Sequence, residues 1–335
     1  MRALLTALVL LAAPSSAMAQ SAGTTEFDTV GEKAIDRTTQ MQDVKFRDDG
    51  YDRMTVPVQL LGTGPYRFLV DTGADRSAIS SELAKRLNLQ AGYRASLHNV
   101  GKTETVSTAI IPRLRLTRKD MNVYDAAVLE SRHMGADGIL GVDTLKSDKV
   151  IFDFEGQTMS IVPSSAREAK DDGQAIVITA NRRNGRLVVT YARANERRVA
   201  VVLDTGAQIS IGNPAMRAQL LGNRPVDPAS MVSLTTVTGE VVAGECVFIE
   251  RLQLGDVNMK DVGVVFADSP AFRKLELSDK PAMLLGMNAM RAFKRVSIDF
   301  GRRKFRVVVP EHSALDQRYA DAVDPVPARG GHLAR

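Results

Sequence analysis

The tetrapeptide Asp-Thr-Gly-Ala stands twice in this chain, at Asp71-Thr72-Gly73-Ala74 and at Asp204-Thr205-Gly206-Ala207. Each copy ends an apolar run, Phe68-Leu69-Val70 or Val201-Val202-Leu203, and each is followed at the same offset by a serine, Ser77 or Ser210. Each is answered downstream by two apolar residues and a glycine, Ile139-Leu140-Gly141 and Leu284-Leu285-Gly286. A chain that repeats itself at this length must build one unit twice. Its 335 residues leave room for two lobes, each with a core of its own.

The rest of each unit matches in order. Met54 to Leu60 alternates enough to be a strand, and Ala175 to Ala180 reads as one too. The turn Gly62-Thr63-Gly64-Pro65 returns the first into Tyr66 to Val70. Asn184-Gly185 is a hairpin turn leading to Leu187 to Tyr191, and Ala194-Asn195-Glu196 turns again before Arg198 to Leu203. A short helix follows each Asp. Ser80 or Ser81 caps the first, and Asn213 caps the second with Pro214 at its first position. Glycine-bearing hairpins come next, Asn99-Val100-Gly101-Lys102 and Val237-Thr238-Gly239-Glu240, then strands at Arg113 to Leu116, Ala126 to Leu129, Val247 to Leu254 and Val262 to Phe266. Each unit closes with two strands, Val150 to Phe154 and Met159 to Pro163 in one, Val296 to Phe300 and Phe305 to Pro310 in the other. From Asp to Gly the units span 70 and 82 residues, and the difference falls in loops.

These boundaries divide the chain into a first lobe at 51–163, a linker at 164–173 and a second lobe at 174–310. Residues 20–50 read as an N-terminal extension or a removable pro-segment, and 311–335 as a disordered tail rich in Ala, Asp, Pro and Gly. Residues 1–19 read as a signal peptide outside the fold. Arg2 precedes an uncharged apolar core at Ala3 to Ala13, Pro14-Ser15-Ser16 breaks it, and Ala17-Met18-Ala19 is a cleavage site ahead of Gln20. The apolar core is too short to remain as a spanning helix, so the expected product is a periplasmic or secreted protein without membrane insertion.

Composition excludes several classes. The net charge of +5 comes from scattered basic residues. The densest cluster, Arg302, Arg303, Lys304 and Arg306, reads as a solvated strand face, and no nucleic-acid partner is expected. Cys246 is the sole cysteine, so no intrachain disulfide forms, and its setting reads as a buried strand. His98, His133, His312 and His332 share no metal spacing, and neither a metal nor a cofactor is expected.

An apolar run, D-T-G-A-x-x-S, a hairpin and then apolar-apolar-Gly before a short helix, present twice across 51–310, resemble the retropepsin-like aspartic proteases. The resemblance implies a mostly β fold of two tandem closed lobes related by a pseudo-two-fold axis. It implies a cleft between them to which each lobe gives one aspartate, Asp71 and Asp204. It further implies that Thr72 and Thr205 hydrogen-bond across the lobe interface, and that the Ile139-Leu140-Gly141 and Leu284-Leu285-Gly286 segments pack behind the active loops. The hairpins hold neither a pepsin-type flap tyrosine nor a glycine-rich viral flap; Val100, Gly101, Thr238 and Gly239 are the flap candidates. Gln208 stands where the first copy has Asp75.

Gly73 and Gly206 permit a tight turn, and their amides, with those of Ala74 and Ala207, can donate to the carboxylates. Two adjacent carboxylates cannot both ionise cheaply, so the pair holds one proton over a wide pH range, the behaviour for which aspartic proteases are known. The charged member can then take a proton from a water molecule while the neutral one donates to a peptide carbonyl. Ser77 and Ser210 have no histidine to activate them and read as supports. The expectation is an aspartic endopeptidase acting on extended peptide or protein substrates, active as a monomer with internal lobe pairing. The alternatives are a homodimer of like lobes and a peptide clamp without turnover.

Overall fold

The computed structural model describes residues 10–13, 55–116, 119–167, 175–183 and 186–310. The extension at 20–50, the tail at 311–335, residues 168–173 of the linker and the Asn184-Gly185 turn lie outside the described residues.

The first lobe is a closed six-stranded barrel. Four residues near the start, Leu10–Ala13, form β1 and are treated below. The barrel strands are β2 (Thr55–Leu60), β3 (Thr63–Val70), β4 (Ala78–Ser80), β7 (Thr108–Leu116), β8 (Lys119–Leu129) and β9 (Gly138–Leu140), in the ring order β2-β3-β9-β4-β8-β7. β2 alternates as period two requires, with Val56, Val58 and Leu60 inward and Pro57 and Gln59 outward. Between β4 and β7 lie the helix α1 (Ser81–Arg86) and the hairpin of β5 (Ala95–His98) and β6 (Thr103–Val106). After β8 come α2 (Ser131–Met134), β9 and α3 (Val142–Leu145). Ser80 Oγ caps α1 by accepting from Leu83 N at 3.1 Å.

The second lobe repeats the ring. After β10 (Asp148–Asp153), β11 (Thr158–Pro163), β12 (Ala175–Thr179) and β13 (Asn181–Arg183) come β14 (Arg186–Ala194), β15 (Arg197–Leu203) and β16 (Ser210–Gly212). The helix α4 (Pro214–Leu221) leads to β17 (Met231–Thr236), β18 (Val241–Leu254), β19 (Val257–Phe266), α5 (Pro270–Lys274), β20 (Ala282–Leu285) and α6 (Met287–Met290). The order β18-β19-β16-β20-β15-β14 closes when β14 pairs with β18. Asn213 Oδ1 caps α4 by accepting from Met216 N at 2.8 Å.

Sequence and structure differ in extent at the strands facing the barrels. β7 and β8 are far longer than the runs Arg113 to Leu116 and Ala126 to Leu129. Register shifts between Ala109 and Ile111 and between Ile111 and Leu114 break the period-two pattern that would have marked one long strand. A second difference lies in the leader. Residues 1–19 read as lying outside the fold, yet β1 pairs antiparallel with β17, Leu10 opposite Thr236. The physical reason is that β17 is otherwise an edge strand, whose free backbone groups accept any extended segment.

Below the two barrels runs a five-stranded antiparallel sheet, β11-β10-β21-β22-β12, where β21 is Arg295–Asp299 and β22 is Lys304–Val308. Lobe one supplies β10 and β11 and lobe two supplies the rest. The seam sets Val150 opposite Ile298 and Phe152 opposite Val296. Arg295, opposite Asp153, donates to its Oδ2 from Nη2 at 2.8 Å and from Nε at 3.1 Å. Ser164, at the start of the linker, donates to the buried Asp299. One apolar cluster runs from the first barrel through this sheet into the second, including Val58, Phe152, Phe305 and Leu252.

A continuous core predicts joint unfolding of the lobes. Phe305 is fully buried in β22, and Phe305→Ala should cost about 3–5 kcal/mol. Both lobes should lose hydrogen-exchange protection in the same denaturant transition. Two separated transitions would show that the shared sheet does not couple them.

Candidate active site

Each aspartate sits one residue past the end of a strand that is buried on both faces. β3 pairs in parallel with β9, Val70 opposite Leu140, and β15 with β20, Leu203 opposite Leu285. Parallel strands covered on both sides read as unbroken apolar runs, which is what precedes both motifs. The ladder continues one bond further in each lobe: Asp71 N donates to Leu140 O and Asp204 N to Leu285 O, both at 3.0 Å. Ile139-Leu140-Gly141 and Leu284-Leu285-Gly286 thus lie directly beside the aspartate loops. A Cβ on Gly141 would strike the Arg76 backbone and one on Gly286 the Ile209 backbone, so each glycine allows two backbones to meet.

The serines tie the loops to these segments. Ser77 Oγ accepts from Gly141 N at 3.1 Å and donates to Asp143 Oδ1 at 2.9 Å. Ser210 Oγ accepts from Gly286 N at 3.0 Å and donates to Asn288 Oδ1 at 2.9 Å. Both hydroxyls are therefore engaged in support. Val142 N donates to Ala74 O and Met287 N to Ala207 O, both at 2.8 Å.

The threonines exchange partners between lobes. Thr72 Oγ1 donates to Leu203 O at 2.8 Å, and Thr205 Oγ1 donates to Val70 O at 2.7 Å. Each hydroxyl also accepts from the other threonine's amide, both at 3.1 Å. At about 1 kcal/mol net for each bond the lattice contributes several kcal/mol, and it fixes one loop against the other.

This brings Asp71 and Asp204 together. Both are fully buried, and a Cβ on Gly73 would collide with the Asp204 carboxylate, as one on Gly206 would with that of Asp71. Asp71 Oδ1 accepts from Gly73 N at 2.8 Å; Asp204 Oδ1 accepts from Gly206 N at 3.0 Å and Ala207 N at 3.2 Å. The two Oδ2 atoms have no hydrogen-bond partner outside the pair itself. Burial pushes Asp71 up to about 7, with the Gly73 amide, the Arg186 charge and the Ala74 amide pulling partly back. Burial and then the Asp71 charge raise Asp204 well above the carboxylate range, again partly offset by Arg186.

Two hairpins reach across the interface, and each plugs the opposite lobe. Val100, at the tip of β5–β6, is fully buried in the lobe-two cluster of Ala207, Ile209, Leu234 and Phe272. Val237, at the tip of β17–β18, is fully buried in the lobe-one cluster of Ala74, Leu97, Leu129 and Ile139. Asn99 Nδ2 donates to Thr238 Oγ1 at 2.9 Å across the tips, while Asn99 Oδ1 accepts from Gly101 N and Lys102 N. Gly101 lies against Glu240 and Val242, and Gly239 lies against the His133 ring with φ +82°, where a side chain is strained. Of the flap candidates all four lie at these tips.

Four participants give no role of their own to a reading of the sequence. Val237 stands in its hairpin beside the flap candidates with nothing local to mark its burial. Asp143 and Asn288 each stand two residues past the glycine of their segment and accept from Ser77 and Ser210, contacts that no local pattern marks. Arg186, with 1% of its surface exposed and its Nε 3.4 Å from Asp75 Oδ1, gave no local signal. Repeat alignment carried further back would have marked it, because Arg186 precedes Asp204 by the same 18 residues by which Arg53 precedes Asp71. Cys246 is buried in β18, and burial pushes its thiol up to about 11, away from reactivity. Among the described residues no group of His, Cys, Asp and Glu has the arrangement of a metal site.

Comparison with known proteins follows the same division. No curated protein matches the chain. Among solved structures, a retropepsin-like aspartic protease from Rickettsia conorii is similar at 17% identity, over 42% of this chain and 95% of that one, with a TM-score of 0.28. The model of a family described as aspartyl protease matches twice, over residues 56–144 and 190–289, once in each lobe. With its two matches covering more than half of the residues, the chain belongs to the aspartyl protease family.

Proposed function

We propose that the protein is an exported aspartic endopeptidase, active as one chain, in which Asp71 and Asp204 activate a water molecule against a peptide bond. The observation that carries this reading is the placement of two buried carboxylates, each against the other's glycine, with no hydrogen-bond partner on either Oδ2 atom. Burial and mutual charge keep one proton on the pair. The charged member accepts a proton from a water held between the Oδ2 atoms, and the hydroxide equivalent adds to the scissile carbonyl carbon. The neutral member gives its proton to the carbonyl oxygen, which leaves a neutral tetrahedral intermediate. Its collapse expels the amine as a proton passes to the nitrogen, and the pair recovers its single proton. Backbone amides hold the Oδ1 atoms, which leaves the Oδ2 atoms for the protons that move.

Because the tips of both hairpins are buried in opposite lobes, entry of a peptide requires them to part. An extended substrate, rather than a folded one, suits a cleft covered from two sides. Removal of residues 1–19 on export would take β1 away and free the outer edge of β17.

Asp71→Asn and Asp204→Asn should each abolish cleavage of a peptide library, and the double variant should be no worse than either, because the shared proton needs both. Circular dichroism should show the fold retained. Turnover surviving in one single variant would move the chemistry elsewhere, and a wild-type protein that binds peptides without cutting them would be a clamp.

Stability should bear the mark of the buried pair. A carboxyl whose pKa rises on folding is held more tightly by a proton in the folded state. Its contribution is therefore fully present below the unfolded value of 3.8 and is lost as pH rises toward about 7. Asp71→Asn removes this penalty, so its melting temperature relative to wild type should climb between pH 4 and pH 7. A gap that stays constant with pH would mean that Asp71 carries no raised pKa.

Protein extracted from the cell envelope should begin at Gln20, sediment near the mass of one mature chain and keep its specific activity on dilution. An N-terminus at Met1 would overturn export. Activity falling with the square of concentration would place like lobes from two chains in the active unit.

A further inference from the structure

The two hairpin tips carry charges of opposite sign in equivalent places. Each tip has a glycine followed by a charged residue, Gly101-Lys102 in lobe one and Gly239-Glu240 in lobe two. Each charged residue closes its turn through its carbonyl: Asn99 N donates to Lys102 O at 3.0 Å, and Thr236 N donates to Glu240 O at 2.8 Å. Each also stands immediately before the returning strand, β6 or β18.

Their side chains meet different surroundings. Lys102 is half-exposed, and its Nζ lies 3.6 Å from Glu104 Oε2 on its own hairpin. Glu240 instead faces the other lobe, where a Cβ on Gly101 would strike its carboxylate. Its Oε2 is buried without a hydrogen-bond partner, and Glu240 forms no ion pair among the described residues. The polar groups around it are already used on one another. Glu240 N donates to Thr236 Oγ1 at 3.2 Å, Thr236 Oγ1 lies 3.1 Å from Thr238 Oγ1, and Thr238 Oγ1 accepts from Asn99 Nδ2. A carboxylate taken out of water with no partner is costly.

This cost falls on a contact that opens. Val100 and Val237 pack with Ala207 and Ala74, three residues past Asp204 and Asp71, so the tips rest against the motif loops. A peptide that reaches the pair must part them, and Glu240 then returns to water. When the tips close again on the peptide, the carboxylate is desolvated a second time. A cation on the peptide supplies the partner that Glu240 lacks.

We propose that Glu240 is a specificity-determining residue that selects peptides with a lysine or arginine on the side of the scissile bond lying against the lobe-two hairpin. This rests on the hydrolytic reading above. Two like lobes offer an extended peptide two opposite directions. Lys102 is matched by Glu104, so lobe one has no complementary demand, and the one unmatched carboxylate fixes the direction in which the peptide runs.

The test compares wild type with Glu240→Gln, Glu240→Lys and Lys102→Gln on extended peptides that carry lysine or uncharged norleucine at each position around one scissile bond. Lysine on one side of that bond should raise kcat/KM about tenfold over norleucine, the effect of one charge-assisted hydrogen bond. Glu240→Gln should erase the preference and still cleave the norleucine peptides. Glu240→Lys should turn it toward glutamate, and Lys102→Gln should leave it in place. Glu240→Ala, which truncates a partly exposed side chain, replaces any Glu240 variant that fails to fold. A wild type indifferent to lysine, a preference equal on both sides of the bond, or one that survives in Glu240→Gln overturns the proposal. Binding without turnover is read by fluorescence anisotropy on the Asp71→Asn protein. It should hold the lysine peptide more tightly than the norleucine one, and adding Glu240→Gln should abolish the difference. A wild-type protein that cleaves nothing defeats the hydrolytic reading, and the binding comparison still decides on Glu240: equal affinities overturn its role.

Discussion

The exchange of hydrogen bonds between Thr72 and Thr205 is the constraint on which the site depends. Each hydroxyl donates to the carbonyl that ends the other lobe's apolar strand and accepts the other threonine's amide. Serine, which has the same hydroxyl, could make these bonds, but threonine's β-branch also restricts χ1 and so reduces the freedom lost when the bonds form. With the loops locked, the position of each carboxylate is set by the opposite lobe: the missing Cβ of Gly73 leaves room for Asp204, and that of Gly206 for Asp71. The raised pKa values follow from this geometry, because two carboxyls are held together where water cannot solvate them.

Above and below this lattice the chain ties its lobes together again. Beneath, β10 and β21 pair across the seam, so the sheet that carries one lobe's closing strands is completed by the other's. Above, Val100 and Val237 each leave their own lobe to fill an apolar site on the partner lobe, joined by the Asn99–Thr238 bond. The two attachments differ in kind. The sheet is bonded along its whole length and belongs to the core. The hairpin tips rest on single side chains and one side-chain hydrogen bond between polar groups, and so are the part of the interface least costly to open.

Symmetry is close at the loops and broken around them. Ser77 is answered by Asp143 where Ser210 is answered by Asn288, and Asp75 by Gln208. Fusion of two units in one chain permits this, since each half can change without an identical change in the other. A homodimer must place the same residue on both sides of its axis.

Much of this was legible in the sequence. The apolar run that ends in Asp reports a strand buried on both faces, the Asp-Thr-Gly turn reports a loop needing close backbone approach, and Asn213-Pro214 and Ser80 report helix starts, because each of these depends on neighbours within a few residues. The repetition of the whole series reported two like lobes. What the sequence could not carry is where a side chain goes once the lobes meet. Val100 finds Ile209 and Arg186 finds Asp75, both pairs more than 100 residues apart in the chain. Such contacts leave no periodic trace, and β7 and β8 were underread for a related reason: bulges that curve a strand around a barrel erase the alternation that marks it. Local backbone preference wrote the units into the sequence, and burial at the interface between them, which exists only after folding, decided the chemistry of the pair.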